Sequence, residues 1–370
     1  MQDLIVTNQK YSIKLQNYIK HQIKQSRGAI SFAKFMQLAL YTPELGYYSN
    51  AGSKFGRLGD YITAPMIGSL LANCVSNKCL NILETLKTAD ILELGAGDGQ
   101  LANNIINNLA KHKCFNNYFI LEPSYELKLR QQKLLNNNIY KNKIFWLDKL
   151  PVDFNGVILA NEVLDALPVC LFSIKDNNIF EKLVIVKDNK FKFINTIADQ
   201  ALTNKILQLP FIKNTNKLYA SEICLLVPGL IKSLSDCLNK GAILLIDYGF
   251  LEQEYYHPDR NGGTLRCYYK HLVHRDPFFL PGLQDITAHV DFSLVIREAI
   301  ANNLLLMKFC SMANFLIENG LQAELEKIVI KNTQDQIKLN QELNMLISPQ
   351  EMGEIFKIAI LSKQLPVTYG

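Results

Sequence analysis

The chain has 370 residues, 48% of them hydrophobic and 20% charged, with a formal net charge of +5. That length holds about two domain-sized units, and so weak and dispersed a basic excess excludes a nucleic-acid binder driven by charge. Eight cysteines without a C-x-x-C pair, and no apolar window of signal-peptide or membrane-spanning length, exclude a disulfide scaffold, a cysteine metal site and a membrane span. The N-terminus "MQDLIVTNQKYSIKLQNYIKHQIK" is basic but has no Arg before Arg27. It reads poorly as a transit peptide, and the expected setting is cytoplasmic.

Residues 1–85 predict an N-terminal helical and Gly-rich lid region. Apolar positions recur at helical spacing over 11–41, Pro43 stops that helix, and Gly52, Gly56 and Gly59 mark a loop. Residues 86–168 alternate short β-rich runs ("DILEL", "YFILE", "KIFW", "GVILA") with helical ones, the pattern of a parallel sheet covered by helices. Over 169–220, three strand-like runs joined by "DNN" and "DNK" predict an inserted antiparallel meander. Residues 221–370 return to the core with a helix near 221–238 and the strand "GAILLIDYG". A polar, aromatic loop over 248–290 follows, then a helix from about 290 and a final strand "FKIAILSK".

The stretch "DILELGAGDGQLA" ends a strand in Gly95, Gly97 and Gly99 before a helix, a turn whose backbone N–H groups can approach a ligand. Dinucleotide binders want G-x-G-x-x-G, and Gln100 stands where the third glycine belongs. The shorter pattern acid-x-Gly-x-Gly of S-adenosyl-L-methionine (SAM) enzymes fits Glu93, Gly95 and Gly97, although a bare structural turn also explains three glycines. Glu122 ends the next strand, where an acid can accept from ribose hydroxyls or simply cap the helix starting near Ser124. In "FWLDKL", Leu147 or Asp148 could meet an adenine. The fourth strand ends in "ANEVLDALPV", setting Asn161, Glu162 and Asp165 at the carboxyl edge, where open α/β sheets bind ligands and a methyl acceptor could be aligned. The late loop holds Asp285 and His289, the latter a structural or proton-relaying group. Its H-x-x-H pair, His271 and His274, lacks a third ligand at a convincing spacing, so no metal is expected.

With "ISFAKFMQLALYTPELGYY", "GDYITAP", "LELGAGDGQL", "ANEVLDALPV", "LLIDYG" and "DITAHVDF" together, the chain resembles the MidA-like family of class I SAM-dependent methyltransferases. That family includes a protein-arginine methyltransferase of mitochondrial complex I assembly. The resemblance implies an α/β fold: a mostly parallel, Rossmann-like seven-stranded sheet with helices on both faces, an N-terminal helical segment and inserted antiparallel strands. It implies SAM held by Glu93, Gly95, Gly97, Glu122 and Ser124, with Gly59, Asp60 and Thr63 folded over it and Asn161 and Glu162 facing it. It implies direct transfer to a protein side chain, arginine above others, with Glu162, Asp165 and Asp285 as its acids and His289 beside them. A protein substrate such as a complex I-type subunit is the implied partner, and a homodimer is the implied assembly. Met66 and the pair Ser311 and Met312 depart from the family pattern. The alternative is an assembly factor that binds SAM without turnover.

Overall fold

A computed structural model describes residues 2–50, 68–210 and 218–365, which form two compact units. One gathers Met1–Tyr61, Asp165–Val227 and Phe250–Ser293; the other gathers Ile62–Leu164, Pro228–Gly249 and Leu294–Gly370. In chain order the strands are β1 (Ala29–Ser31), β2 (Ala89–Leu94), β3 (Phe115–Leu121), β4 (Ile144–Leu147), β5 (Phe154–Asn161) and β6 (Cys170–Lys175). Next come β7 (Asn178–Lys187), β8 (Lys190–Ile197), β9 (Tyr219–Ile223), β10 (Leu238–Phe250) and β11 (Arg266–Tyr269). The last are β12 (Leu272–His274), β13 (Asp285–Thr287), β14 (Val290–Asp291), β15 (Leu305–Ser311) and β16 (Phe356–Lys363).

The second unit is built on a sheet in the order β15-β16-β10-β5-β2-β3-β4. From β10 to β4 the neighbours are parallel, while β16 runs antiparallel to both β10 and β15. Strands such as "DILEL" and "GAILLI" are continuous apolar runs because both of their faces are covered. Leu71 and Val75 of the helix Leu70–Leu86, Ile105 of Gln100–Leu109 and Phe315 of Met312–Glu318 pack with Ile91, Val157, Leu244 and Ile358 in one core. From β2 the chain moves outward to β3 and β4 on one side and to β5 and β10 on the other. The order therefore reverses between β2 and β5, the place where open α/β sheets leave a crevice at their carboxyl ends.

In the first unit β7 carries β6 and β1 on residues 178–181 and 183–185, with β8 along residues 180–187, all antiparallel. Both hairpin turns have two residues at positive φ, Asp176 and Asn177 in one and Asp188 and Asn189 in the other. Asp and Asn tolerate that conformation, so "DNN" and "DNK" are turn signals with a backbone cause. Phe32, Phe35 and Met36 of the helix Phe32–Tyr41 pack with Leu15, Ile19, Val184 and Phe191.

Three expectations are corrected. The helical spacing over 11–41 is not one helix: Gln2–Gln25 ends, Arg27 and Gly28 turn the chain at positive φ, and Phe32–Tyr41 begins after β1 with Ser31 Oγ accepting from Lys34 N–H at 3.1 Å. The helix expected near 221–238 starts only at Val227, because Tyr219–Ile223 is taken as a strand by β6. The segment 248–290 is not simply a loop, since β11, β12 and β13 form an antiparallel sheet within it. The β11–β12 turn uses Lys270 and His271 at positive φ, residues that give no turn signal in sequence.

Candidate functional site

After Leu94 the chain turns through Gly95 and Gly97 at φ +60° and +56°, a conformation that costs an L side chain roughly 1 kcal/mol or more. A Cβ on Gly95 would make only an ordinary contact, 3.5 Å from Val163 Cγ2, so conformation rather than space selects glycine there. The Gly95 N–H donates to Leu121 O at 3.0 Å and ties the turn to the end of β3. Asp98 Oδ1 accepts from Gln100 N–H at 3.0 Å where the helix Gln100–Leu109 opens, and that N-terminus favours negative charge.

Two acids flank this turn. Glu93 is 2% exposed, and burial pushes its carboxyl from 4.5 up to about 8, with Glu122 and Asp98 repelling in the same direction. Tyr118 Oη donates to Glu93 Oε2 at 2.8 Å. Glu122 is also buried; its Oε1 accepts from Ser124 N–H and its Oε2 from Gln131 Nε2, both at 2.9 Å. Ser124 Oγ accepts from Leu127 N–H at 3.2 Å and so caps the helix Tyr125–Leu135. At the end of β4, Leu147 is half-buried, whereas the Asp148 side chain is 92% exposed and pairs with Lys128 Nζ at 3.1 Å.

At the end of β5, Asn161 Nδ2 donates to Glu162 Oε1 at 3.2 Å, and Asn161 Oδ1 is buried with no hydrogen-bond partner among the described residues. Glu162 has φ +53°, strain that persists only where surroundings impose it. They do so here. Glu162 N–H donates to Ile246 O at 2.9 Å, and Asp247 Oδ2 accepts from Val163 N–H at 3.1 Å and Leu164 N–H at 2.8 Å. The unfilled Asn161 oxygen, the open glycine turn and the Glu122 carboxylate, with the buried Glu93 beside them, match a donor-rich, cationic ligand such as SAM.

Glu93, Gly95, Gly97, Glu122, Ser124, Leu147, Asp148, Asn161 and Glu162 thus share one unit, while Asp165, Asp285 and His289 belong to the other. In that unit Tyr48 Oη donates to both Asp285 oxygens, at 2.9 and 3.0 Å, and Tyr41 stacks on Tyr48 with centroids 5.5 Å apart. Asp165 is buried and its backbone O accepts from Ala288 N–H at 3.0 Å. Burial, with Arg266 and Arg260 nearby, lowers His289 to about 4, so its ring is neutral near pH 7. Its backbone is fixed by Thr264 and Tyr255. Gly59, Asp60, Thr63 and Met66 lie outside the described residues; Met312 is fully buried in the core.

Four side chains around these groups escape the sequence reading: Tyr118, Gln131, Trp146 and Asp247. Gln131 had a signal, a polar residue in the buried row Leu127, Gln131, Leu135 of its helix. So did Asp247, an acid closing the apolar run "AILLID".

Residues 74–309 match a family model described as S-adenosyl-L-methionine-dependent methyltransferase. Among solved structures, one from Burkholderia thailandensis bound to S-adenosyl-homocysteine is 33% identical with a TM-score of 0.91, covering 97% of this chain and 94% of that one. The mitochondrial protein arginine methyltransferase NDUFAF7 of Danio rerio is 26% identical over 364 residues, 89% of this chain and 82% of the relative. Its Bos taurus counterpart is 28% identical over 381 residues, 93% and 82% respectively. The relatives' mitochondrial naming overturns the cytoplasmic expectation, which rested on a weak N-terminal signal. Among the described residues no helix is long and apolar enough to cross a membrane.

Proposed function

The chain belongs to this family of SAM-dependent methyltransferases, and from that membership we propose that it methylates an arginine side chain of a protein by direct transfer. What carries the site assignment is Asn161, whose buried Oδ1 has no partner among the described residues where the strand order reverses. SAM supplies, when bound, an electrophilic methyl group on a sulfonium sulfur. Glu93, Gly95, Gly97 and Asn161 would hold its amino-acid end and Glu122 its ribose, with Ser124, Leu147 and Asp148 at the far side. Gly59, Asp60 and Thr63 join this set on resemblance alone.

An arginine acceptor is protonated at ordinary pH and offers a fork of N–H donors that suits carboxylates. Glu162, Asp165 and Asp285 are the proposed acids, and the Tyr41 and Tyr48 rings suit a cation. Transfer to a guanidinium releases one proton, one of these carboxylates is the proposed receiver, and neutral His289 is proposed to position a substrate group. Alignment of acceptor and methyl is the main catalytic task, since the displacement needs no covalent enzyme intermediate. The acceptor class and a mitochondrial setting are supported by the names of the relatives.

Isothermal titration with SAM, then transfer of a labelled methyl group to mitochondrial extract with mass-spectrometric location of the label, tests the proposal. Label on arginine is expected; label confined to another residue type refutes the acceptor. Glu162→Gln should lower the rate about 100-fold with SAM affinity kept, and unchanged transfer removes Glu162 from the site.

A further inference from the structure

Gln131 is fully buried, and both amide N–H donors and its carbonyl oxygen are engaged. Its Nε2 donates to Gly97 O at 3.0 Å and to Glu122 Oε2 at 2.9 Å, and its Oε1 accepts from Trp146 Nε1 at 3.1 Å. The three partners come from different strand ends: Gly97 follows β2, Glu122 follows β3, and Trp146 lies in β4. An indole N–H can only donate and a carbonyl or carboxylate oxygen can only accept, so the amide fits in one orientation. On the side of Gly99, the Gln131 stem lies 3.4 Å from where a Cβ would stand. The amide therefore joins the glycine turn, the carboxylate and the last parallel strand.

We propose that Gln131 is a positioning residue for SAM, setting the spacing of the glycine turn and the Glu122 carboxylate and linking both to Trp146. The inference rests on the cofactor site assigned above. Gln131 acts through Gly97 and Glu122. Losing it removes the contact on Glu122 Oε2, so that this oxygen loses the link to the glycine turn while Oε1 stays on Ser124 N–H, and takes away the partner of Gly97 O and Trp146 Nε1. The effect falls on cofactor affinity rather than on the transfer step. Trp146 is the sole tryptophan of the chain, so its emission reports this link directly.

S-adenosyl-homocysteine is titrated calorimetrically into the full chain, with Trp146 emission followed in parallel. Binding by the wild-type chain is measured first, and its absence refutes the cofactor site itself. Given that binding, Gln131→Met, of equal length but without the amide, should weaken affinity about 10- to 100-fold. It should also raise KM for SAM with kcat at saturation within about 2-fold, and shift Trp146 emission before any ligand is added. Gln131→Glu, which lacks both donors and faces Glu122, should bind more weakly still. Gln131→Met that folds and binds within about 2-fold of wild type overturns the inference. If Gln131→Met does not fold, Trp146→Phe decides: weakening of a few-fold supports it, and unchanged affinity overturns it.

Discussion

Glu93 is a buried acid whose surroundings disfavour its charged form. Its folded carboxyl sits near 8 because the anion has lost its water, and the Tyr118 hydroxyl only partly offsets that loss. Between pH 4.5 and 8 the folded chain therefore keeps a proton that the unfolded chain has released. Stability falls as pH rises through that window, by up to about 1.4 kcal/mol per pH unit, and levels off above 8. Urea unfolding of wild type and Glu93→Gln at pH 5, 6.5 and 8 measures this: the variant should lose the slope, and parallel curves refute it. His289 carries the opposite sign. Its folded value of about 4 lies below the ordinary 6.5, so its contribution is present above 6.5 and is lost as pH falls toward 4. His289→Gln should be less acid-sensitive than wild type in the same measurement.

At the scale of elements, side chains from one segment repeatedly hold the end of another. Asp247, within β10, is fully buried and accepts the Val163 and Leu164 N–H groups, which holds the strained turn at Glu162. Asp247→Ala leaves these donors unsatisfied and should cost about 3 kcal/mol of stability by thermal denaturation. Ser69 makes no side-chain cap for the helix Leu70–Leu86; instead Glu342 of Thr333–Ile347 accepts from Leu70 N–H at 2.7 Å. Glu342→Ala should cost about 1 kcal/mol. The long-range cap by Glu342 leaves no local pattern, whereas Asp247 stands out only as the acid that closes the apolar run "AILLID". The strands "DILEL", "GVILA" and "GAILLI" were legible because burial on both faces demands unbroken apolar runs. "DNN" and "DNK" were legible because their turns need positive φ. β9 was hidden in a run that suits a helix equally well, and the Lys270–His271 turn lacks the residues that announce one.

Over the whole molecule neither unit is a continuous stretch of chain, and the expected site residues are divided between the two. The proposal therefore predicts separate ligand footprints in hydrogen exchange. S-adenosyl-homocysteine alone should slow exchange about 10-fold or more at Gly95–Gly99 and Asn161–Leu164. An arginine peptide should add protection around Tyr48 and β13, and protection by the cofactor product confined to β11–β13 would refute the assignment. The placement of β16 has a consequence for biogenesis. It enters between β10 and β15, so a nascent chain that ends before residue 356 exposes two unpaired apolar edges at once. Parallel pairing of β10 with β5 can proceed, but the growing polypeptide stays prone to edge-to-edge association until β16 is synthesised. A chain stopped after Ile355 should collect in inclusion bodies or on chaperones, whereas the full-length product partitions to the soluble fraction.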